Sequence, residues 1–492
     1  MSIADPVTIL SIILCTFVAI LFYGRKRNIY HNFPPGPTPL PIIGNLHIMD
    51  MKRPYETFHK LSEKYGSVYS IRLGTEKIVI LSGYETVKDA LVNHADVFAA
   101  RPKVPIFEAL FLGHGILFSN GESWKAMRRF TLSTLRDFGM GKETIENRIG
   151  EESDCLVENI KSRKGKPFEN TAILTAAVAN VIVYVLLSQR FDYDDPIILK
   201  LLNMINENTK LVGCPRSMMY NAYPSVMSWF PGVQKTVVKN RNELHKFVRE
   251  IFTEQKKDLD VNDQRNLIDK FLVKQQEEKP NPELYFNNTN LVVLVTDLFA
   301  AGMETTSTTL RWGILLMMKY PHIQRKVQSE IEKVIGSAAP QAAHRKDMPY
   351  TDAVIHEIQR FGNIVPTNLP HATTQDITLQ GYFIPRGTHV IPLLTSVLYD
   401  KDYFKKPKEF YPEHFLDASG NFVKNEAFMP FSAGKRSCAG ENLAKMELYM
   451  FFVKLLQNFT FQAPPGATLD LTPAVAFTCM PMSYMMCAVP RT

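Results

Sequence analysis

Cysteine is scarce in this chain of 492 residues, and no cysteine lies close enough in sequence to another to form a metal-binding pair. The six cysteines are scattered without a C-x-x-C spacing, which argues against a zinc site built on cysteine pairs and against a disulfide framework. The sequence also lacks zinc-finger spacing, an RNA-binding signature, internal repeats and long low-complexity segments. These absences disfavour nucleic-acid binding and a repeat architecture, and they fit a body kept in a reducing compartment.

Composition places the chain among globular proteins. A hydrophobic content of 45% with 21% charged residues is too apolar for a disordered protein, and the length allows one large core or two to three ordinary domains. The net charge of +7 favours an acidic partner surface or anionic lipid.

Charge is absent from residues 6–24, where Ile, Leu, Val and Phe dominate. A helix of this length spans about 28 Å, close to the thickness of a bilayer, and the basic residues 25–27 favour a cytosolic body. The sequence therefore predicts a membrane anchor over residues 1–30. The alternative is a cleaved signal peptide, against which the run has no preceding Lys or Arg and no A-x-A site. The proline-rich stretch that follows predicts a stiff hinge over residues 31–45, with a catalytic body over 46–492.

The body shows mostly helical patterns with few strands. Runs rich in β-formers over 67–73 and 77–81 surround Gly74-Thr75 and predict a hairpin. A second strand pair is expected within 381–391, turning at residues 385–387. The predicted fold class is mainly α with minor β.

One cysteine, Cys438, has the surroundings of a metal ligand. It lies between Gly434 and Gly440, two residues after Arg436, and a helix-like run over 441–456 follows. Glycines allow close approach to a flat partner, while a helix start and a nearby cation stabilise a thiolate. The alternative is a free cysteine packed as a small apolar residue.

Two further stretches carry candidate binding groups. Trp124 and Arg128 are four residues apart, so on a helix they share a face and offer an indole N–H and a guanidinium to an anion. An ordinary cation–π or surface pair is the alternative. Glu357 and Arg360 have the spacing of a solvated helix pair, but apolar neighbours favour a half-buried pair partnered by the 410–415 segment.

A long apolar stretch over 291–320, closed by Pro321, predicts a core helix, because Asp297, Glu304 and Arg311 make a membrane span costly. In its middle, the small residues Ala301 and Gly302 are expected to leave room for a ligand. The Thr305 hydroxyl either bonds back to the carbonyl four residues earlier or faces that space and handles protons.

Taken together, the motifs closely resemble the cytochrome P-450 family of haem-thiolate monooxygenases over essentially the whole chain. Their order is anchor, hinge, W-x-x-x-R, A-G-x-E-T, E-x-x-R, F-x-P-E-x-F and F-x-x-G-x-R-x-C-x-G. The stretches 348–354 and 428–434 are similar to the vertebrate microsomal family 2 group. The resemblance implies the cytochrome P-450 fold, a triangular helical body with small β-sheets behind an N-terminal transmembrane helix.

The resemblance also implies roles for particular residues. Cys438 would be the axial ligand of haem b, with Glu304 and Thr305 serving oxygen activation. The remaining haem-contacting residues would be Trp124, Arg128, Ala301, His371, Phe431, Gly434 and Arg436. Glu357, Arg360 and His414 would form a structural network, although many members of the family have arginine at the position of His414. Apolar pocket candidates, each of which is alternatively a core residue, are Phe107, Leu117, Phe118, Ala301, Ile364, Val365, Leu369 and Phe477.

The implied activity is insertion of one atom of O2 into lipophilic substrates such as fatty acids, steroids and xenobiotics, with no nucleic-acid partner. Electrons would come from NADPH through a flavoprotein reductase, with cytochrome b5 as an optional further partner, at the endoplasmic reticulum membrane. Basic residues expected near the thiolate, which are alternatively just solvated, are Lys125, Arg129, Lys435 and Lys445. An apolar segment over 218–231 is expected to dip into the bilayer interface. The alternatives are a haem-thiolate isomerase or dehydratase of lipid peroxides, a non-catalytic haem carrier or sensor, and a structural membrane protein.

Overall fold

The computed structural model describes residues 32–138, 143–278 and 285–491, together with residues 5, 8, 11, 12, 15 and 16. Most of the predicted anchor therefore lies outside the described residues and stays a prediction. Within the described part of the chain, no helix combines the length and the apolar character needed to cross a bilayer.

The described chain is mainly helical with small sheets, as predicted. The helices, in chain order, are α1 (Pro54–Tyr65), α2 (Tyr84–Lys88), α3 (Pro105–Phe111), α4 (Gly121–Asp137), α5 (Glu143–Lys161), α6 (Thr171–Leu187), α7 (Pro196–Val212), α8 (Pro215–Ala222), α9 (Pro224–Met227), α10 (Val233–Gln255), α11 (Leu267–Glu277), α12 (Asn288–Lys319), α13 (Pro321–Val334), α14 (Pro349–Gly362), α15 (Leu394–Leu398) and α16 (Glu441–Asn458). The strands are β1 (Val68–Leu73), β2 (Glu76–Leu81), β3 (Phe168–Glu169), β4 (His371–Ala372), β5 (Ile377–Leu379), β6 (Tyr382–Ile384), β7 (His389–Pro392), β8 (Phe459–Gln462) and β9 (Met485–Pro490).

The chain divides into two compact units. Unit 1 comprises Met1–Pro102 and Thr367–Leu393, and unit 2 comprises Lys103–Pro366 and Leu394–Thr492. Unit 1 holds a four-stranded sheet in the order β1-β2-β7-β4, and unit 2 holds the sheet β3-β9-β8.

The hairpin predicted in unit 1 is confirmed. Strands β1 and β2 pair antiparallel from Val68 opposite Leu81 to Leu73 opposite Glu76. Their inner faces pack on α1 through buried residues that include Phe58, Tyr69 and Ile80. The burial of these alternating side chains fixes the register of the hairpin.

The second predicted strand pair is wrong in its pairing. Strands β6 and β7 both form, but β6 pairs with β5, and β7 pairs with β2 and β4. The hairpin turn lies at Gln380 and Gly381, both with positive φ, as two-residue hairpin turns require. The turn at residues 385–387 instead leads β7 into the larger sheet.

Unit 2 is built around α12. It is buried along most of its length and packs against α6, α10, α14 and α16. The Asn287 side chain caps its start by accepting from the N–H of Asn290, and Pro321 follows its end. Helix α6 is apolar on every side because it is buried almost throughout, so the apolar run over 291–320 and its neighbour form the core of this unit.

Candidate functional site

The loop before α16 presents the Cys438 side chain. Ser432 and Gly434 take φ values of 61° and 72°, so the chain turns through left-handed backbone. The Cys438 N–H donates to the carbonyl of Phe431 at 3.0 Å, which closes the loop. The backbone N–H of Gly440, directly before α16, favours the anionic form of the Cys438 sulfur.

The Cys438 thiol faces open space although protein atoms surround it. Its side chain is accessible, and a Cβ added at Gly440 would meet no protein atom within 4 Å. Desolvation raises the pKa of the Cys438 thiol, while the Gly440 N–H and the Arg128 guanidinium act to lower it. The Cys438 side chain is therefore accessible to a bound group.

The indole and two guanidiniums predicted to hold an anion lie beside this loop. The Arg436 guanidinium carbon is 3.8 Å from the centroid of the Trp124 ring, and its Nη2 donates to the carbonyl of Ser119 at 2.7 Å. Arg128 Nη2 donates to the Ser437 hydroxyl at 3.3 Å. Among the described residues, the buried Trp124 Nε1 has no hydrogen-bond partner. A buried N–H without an acceptor is costly, so the arrangement favours an acceptor from a bound group.

Helix α12 places Ala301 and Thr305 one turn apart. The Thr305 hydroxyl donates to the Ala301 carbonyl at 2.8 Å, which is the first of the two arrangements considered for it. Gly302 does not make room for a ligand, contrary to the prediction. A Cβ at Gly302 would lie 3.2 Å from Ile182 Cγ1, so the small residue allows close packing of α12 on α6.

Glu304 points into protein rather than into open space. It is 6% exposed, and its Oε1 accepts from the hydroxyls of Thr308 at 3.4 Å and Thr478 at 3.3 Å. Desolvation raises the pKa of the Glu304 carboxyl, against the lowering influence of these hydroxyls and of Arg311. Thr478 carried no recognisable signal in the sequence.

Three of the predicted pocket residues form one aromatic cluster. The ring centroids of Phe107 and Phe118 are 4.3 Å apart, and those of Phe107 and Phe477 are 5.7 Å apart. Phe111, which the sequence reasoning missed, stacks on Phe118 with centroids 4.9 Å apart. Ile364 and Val365 are half-buried at the end of α14.

The loop that carries Leu117 and Phe118 is held by a buried carboxylate. Asp297 Oδ2 accepts from the N–H groups of Ile116 at 2.8 Å and Leu117 at 3.2 Å. Gly115, with φ of 72°, allows this approach because a Cβ there would overlap the carboxylate. Burial raises the pKa of Asp297 to about 7, despite the two N–H donors that act to lower it.

We expect Asp297→Asn to gain stability relative to the wild type as pH rises. Because the folded-state pKa of Asp297 is above its ordinary value of 3.8, its contribution to stability is lost as pH rises from about 4 to about 7. The amide oxygen still accepts both N–H groups but does not ionise. The difference in unfolding free energy, variant minus wild type, should therefore grow by up to about 4 kcal/mol between pH 4 and pH 8, from a shift of about three pKa units. Urea unfolding of both proteins at the two pH values measures it, and an unchanged difference would contradict it.

Two predicted site residues, Leu369 and His371, belong to unit 1. His371 is buried, and its Nδ1 lies 2.6 Å from the carbonyl oxygen of Phe98. Arg101, also buried, donates to the carbonyls of Leu369 at 3.1 Å and Pro370 at 2.8 Å.

Glu357 and Arg360 form a fully buried pair on α14. Arg360 Nε and Nη2 donate to the two Glu357 oxygens at 2.7 Å each. The remaining Arg360 N–H groups reach main-chain carbonyls, and the Glu357 oxygens also accept from the N–H of Tyr411 at 2.8 Å and contact His414 Nδ1 at 3.1 Å. The structure thus brings the helix and the 410–415 segment together.

A thiol presented before a helix, with cations and an unpaired indole N–H beside it in a mainly helical unit, is the arrangement expected of a haem-thiolate protein. The family model for cytochrome P450 matches residues 34–488, and the chain belongs to the cytochrome P450 family. It is 48% identical to cytochrome P450 2C5 of Oryctolagus cuniculus over 489 residues, which cover 99% of this chain and 100% of that protein. It is 47% identical to cytochrome P450 2K4 of Oncorhynchus mykiss, over 99% of this chain and 98% of that protein. These relatives place it in the family 2 group.

Proposed function

We propose that this protein is a haem-thiolate monooxygenase in which Cys438 would supply the thiolate that holds the haem iron and α12 would line the space where oxygen reacts. The observation that carries the proposal is the juxtaposition of an accessible, otherwise desolvated thiol with Arg128, Arg436 and the unpaired Trp124 N–H. Membership of the family implies haem on a cysteine thiolate, and family 2 relatives support monooxygenation.

The residues present fit a haem. No atom of the described residues lies within 4 Å of a Cβ placed at Gly440, and the Trp124 N–H and the guanidiniums of Arg128 and Arg436 would supply donors for the propionates. His371, which is buried in unit 1, stays a predicted propionate partner, as the family resemblance implies. When bound, the haem supplies oxygen activation, which a thiolate ligand favours by promoting O–O cleavage.

Thr305 is the proposed proton carrier. Its hydroxyl donates to the Ala301 carbonyl at 2.8 Å, so the hydroxyl oxygen can still accept a hydrogen bond from a water molecule. Rotation of the hydroxyl would direct its hydrogen away from the Ala301 carbonyl and towards an acceptor beside α12. Ala301 keeps the approach to this hydroxyl open because it has no side chain beyond Cβ.

We expect Thr305→Ala to divert reducing equivalents from product to hydrogen peroxide. Without the hydroxyl, proton delivery weakens, by a factor on the order of 10² for a positioned acid–base group. The measurement compares product and peroxide formed per NADPH consumed. Thr305→Ser serves as the matched control and should restore much of the product yield, whereas tight coupling in the alanine variant would argue against the relay.

The proposed substrates are lipophilic. The aromatic cluster of Phe107, Phe118 and Phe477 offers ring faces and no charge, which suits aliphatic chains, steroid rings or aromatic compounds better than sugars or nucleotides. Ile364 and Val365 extend the apolar set in this proposal, and Leu369 of unit 1 stays a predicted pocket residue.

Electrons are proposed to come from NADPH through a flavoprotein reductase, with cytochrome b5 as a further donor. Of the basic residues predicted to dock the reductase, Lys125, Arg129 and Lys435 are exposed. Lys125 pairs with Glu122 at 2.7 Å, and Lys445 pairs with Glu441 at 2.6 Å. We expect reductase-supported turnover to fall several-fold as salt rises from about 0.05 to about 0.5 M, because surface attraction is screened. Salt-independent turnover would count against electrostatic docking.

The proposed location is the endoplasmic reticulum membrane, with the body in the cytosol. Val226, Trp229 and Phe230 expose 59%, 86% and 58% of their surface, a concentration of large apolar side chains that suits the bilayer interface. Asn287 and Asn458 lie in glycosylation sequons, and sugar on either residue would overturn this topology.

The proposal is tested by screening fatty acids, steroids and aromatic ethers with a reconstituted reductase. We expect oxygenated product only when NADPH, O2 and reductase are all present. Product formed from a lipid hydroperoxide without reductase would assign the protein to the isomerase or dehydratase class instead. Binding of haem without substrate-dependent NADPH consumption would make it a carrier or sensor.

A further inference from the structure

The loop over residues 476–481 is hydrogen-bonded to two helices of unit 2 and to the segment that follows a third. The Phe477 N–H donates to the Thr209 carbonyl of α7 at 2.9 Å, and the Cys479 N–H donates to the Ile364 carbonyl after α14 at 2.9 Å. Trp312 Nε1 of α12 donates to the Cys479 carbonyl at 2.7 Å. The loop that carries the pocket residue Phe477 thus has defined anchoring points.

One side chain of this loop also contacts Glu304, the neighbour of Thr305 to which the family resemblance gives a part in oxygen activation. Thr478, which is 3% exposed, donates through its hydroxyl to Glu304 Oε1 at 3.3 Å. Thr308, one turn along α12, donates to the same oxygen at 3.4 Å. Glu304 therefore has one partner that moves with its own helix and one that moves with the pocket loop.

Few charges act on this buried carboxyl. Arg311 of α12 and Lys210 of α7 favour its ionised form, and the 476–481 loop contributes the Thr478 hydroxyl. Desolvation opposes them and is the largest influence, so burial raises the pKa of Glu304. A single hydroxyl donor is then a significant part of what stabilises the carboxylate.

We propose that Thr478 is a positioning residue that links the ionisation of Glu304 to the position of the 476–481 loop, and hence to a substrate packed against Phe477. The inference rests on the proposed function, since it concerns the proton relay of that same site. A hydroxyl bonds more strongly to a carboxylate than to a neutral carboxyl, so ionised Glu304 holds the loop more firmly. By reciprocity, a substrate that displaces the loop makes ionisation of Glu304 less favourable and keeps its proton available.

Hydrogen exchange of the loop amides tests this link without any substrate. In the full-length haem protein, we expect the protection of the Phe477 and Cys479 N–H groups to rise on the order of five- to tenfold as Glu304 ionises. The increase is expected because the hydrogen bond from Thr478 to Glu304 becomes charge-assisted. Exchange rates measured from about pH 5 to about pH 9 are corrected for the intrinsic pH dependence of amide exchange. Glu304→Gln should abolish the rise, which assigns it to this carboxyl.

Two valine variants distinguish positioning from general stability. Thr478→Val should abolish the pH-dependent protection, and Thr478→Ser should restore it. Thr308→Val removes the other donor to the same oxygen, so it should keep the rise but move its midpoint to higher pH. An unchanged pH dependence in Thr478→Val would overturn the inference, and so would its loss in both valine variants.

The catalytic consequence is measured separately. With a substrate from the screen, the amount of hydrogen peroxide formed per NADPH consumed is measured at several pH values. Thr478→Val should change this ratio, and its dependence on pH, at least twofold more than Thr308→Val does. If the protein forms NADPH-dependent product but Thr478→Val shows the same pH-dependent hydrogen exchange as the wild type, the role of Thr478 is contradicted and the monooxygenase activity is not. The expected exchange pattern in a protein that makes no NADPH-dependent product contradicts the proposed monooxygenase activity alone.

Discussion

Cys438→Ser should abolish the thiolate-type absorption of the reduced carbon monoxide complex and all NADPH-dependent product formation. The sulfur is the accessible atom at the head of α16, and the Gly440 N–H and the Arg128 guanidinium both act to stabilise its anion. A serine hydroxyl ionises far less readily than a thiol and is a hard ligand, so the electron donation that favours O–O cleavage is lost. The absorption spectrum reports the ligand directly, and product analysis reports the chemistry.

A second cysteine of unit 2 provides the matched control. Cys155 is also exposed, but it lies on α5, and its substitution by serine should leave both the spectrum and the turnover unchanged. Retention of the thiolate-type spectrum in Cys438→Ser would contradict the assignment of the ligand. Loss of the thiolate-type spectrum in Cys155→Ser would show that the spectrum reports general loss of folded protein and not the identity of the ligand.

Local patterns predicted the parts of the fold that local forces determine. The alternating β-formers on either side of Gly74 gave the β1–β2 hairpin, and the apolar run ending at Pro321 gave α12. The glycines around Cys438 marked a loop whose left-handed φ at Gly434 the structure contains. In each case the residues that form the feature are neighbours in sequence.

Features that depend on distant partners were not predictable in the same way. The sequence indicated strands on both sides of residues 385–387, but whether they pair depends on β2, which lies about 300 residues earlier. Gly302 looked like a space for a ligand because nothing local identifies Ile182 as its neighbour. The contact of Thr478 with Glu304 joins residues 174 apart, and no motif connects them.

The largest stability effect is expected at the buried pair of Glu357 and Arg360. Both side chains are fully buried, and the Arg360 guanidinium also donates to the main-chain carbonyls of Leu398, Pro407 and Glu409 at 2.7–3.0 Å. Arg360→Met leaves the Glu357 carboxylate without its cation and these carbonyls without donors. We expect a loss of about 3–5 kcal/mol in unfolding free energy, as for other buried pairs that lose one partner. The shift of the urea unfolding midpoint measures it.

The double variant Glu357→Gln/Arg360→Met separates the uncompensated charge from the lost hydrogen bonds. Because it leaves no buried charge, it should cost less than the sum of the two single variants. Glu158 and Lys161 have the same i, i+3 spacing with 70% and 45% of their side chains exposed, so Lys161→Met should cost less than about 1 kcal/mol. Two outcomes would contradict this account of the stability of the network. One is strict additivity of the unfolding free energies in the double variant, and the other is an Arg360→Met cost as small as that of Lys161→Met. If the expected order holds, the stability of the segment that leads into the Cys438 loop depends on a pair that its sequence spacing alone would have assigned to the surface.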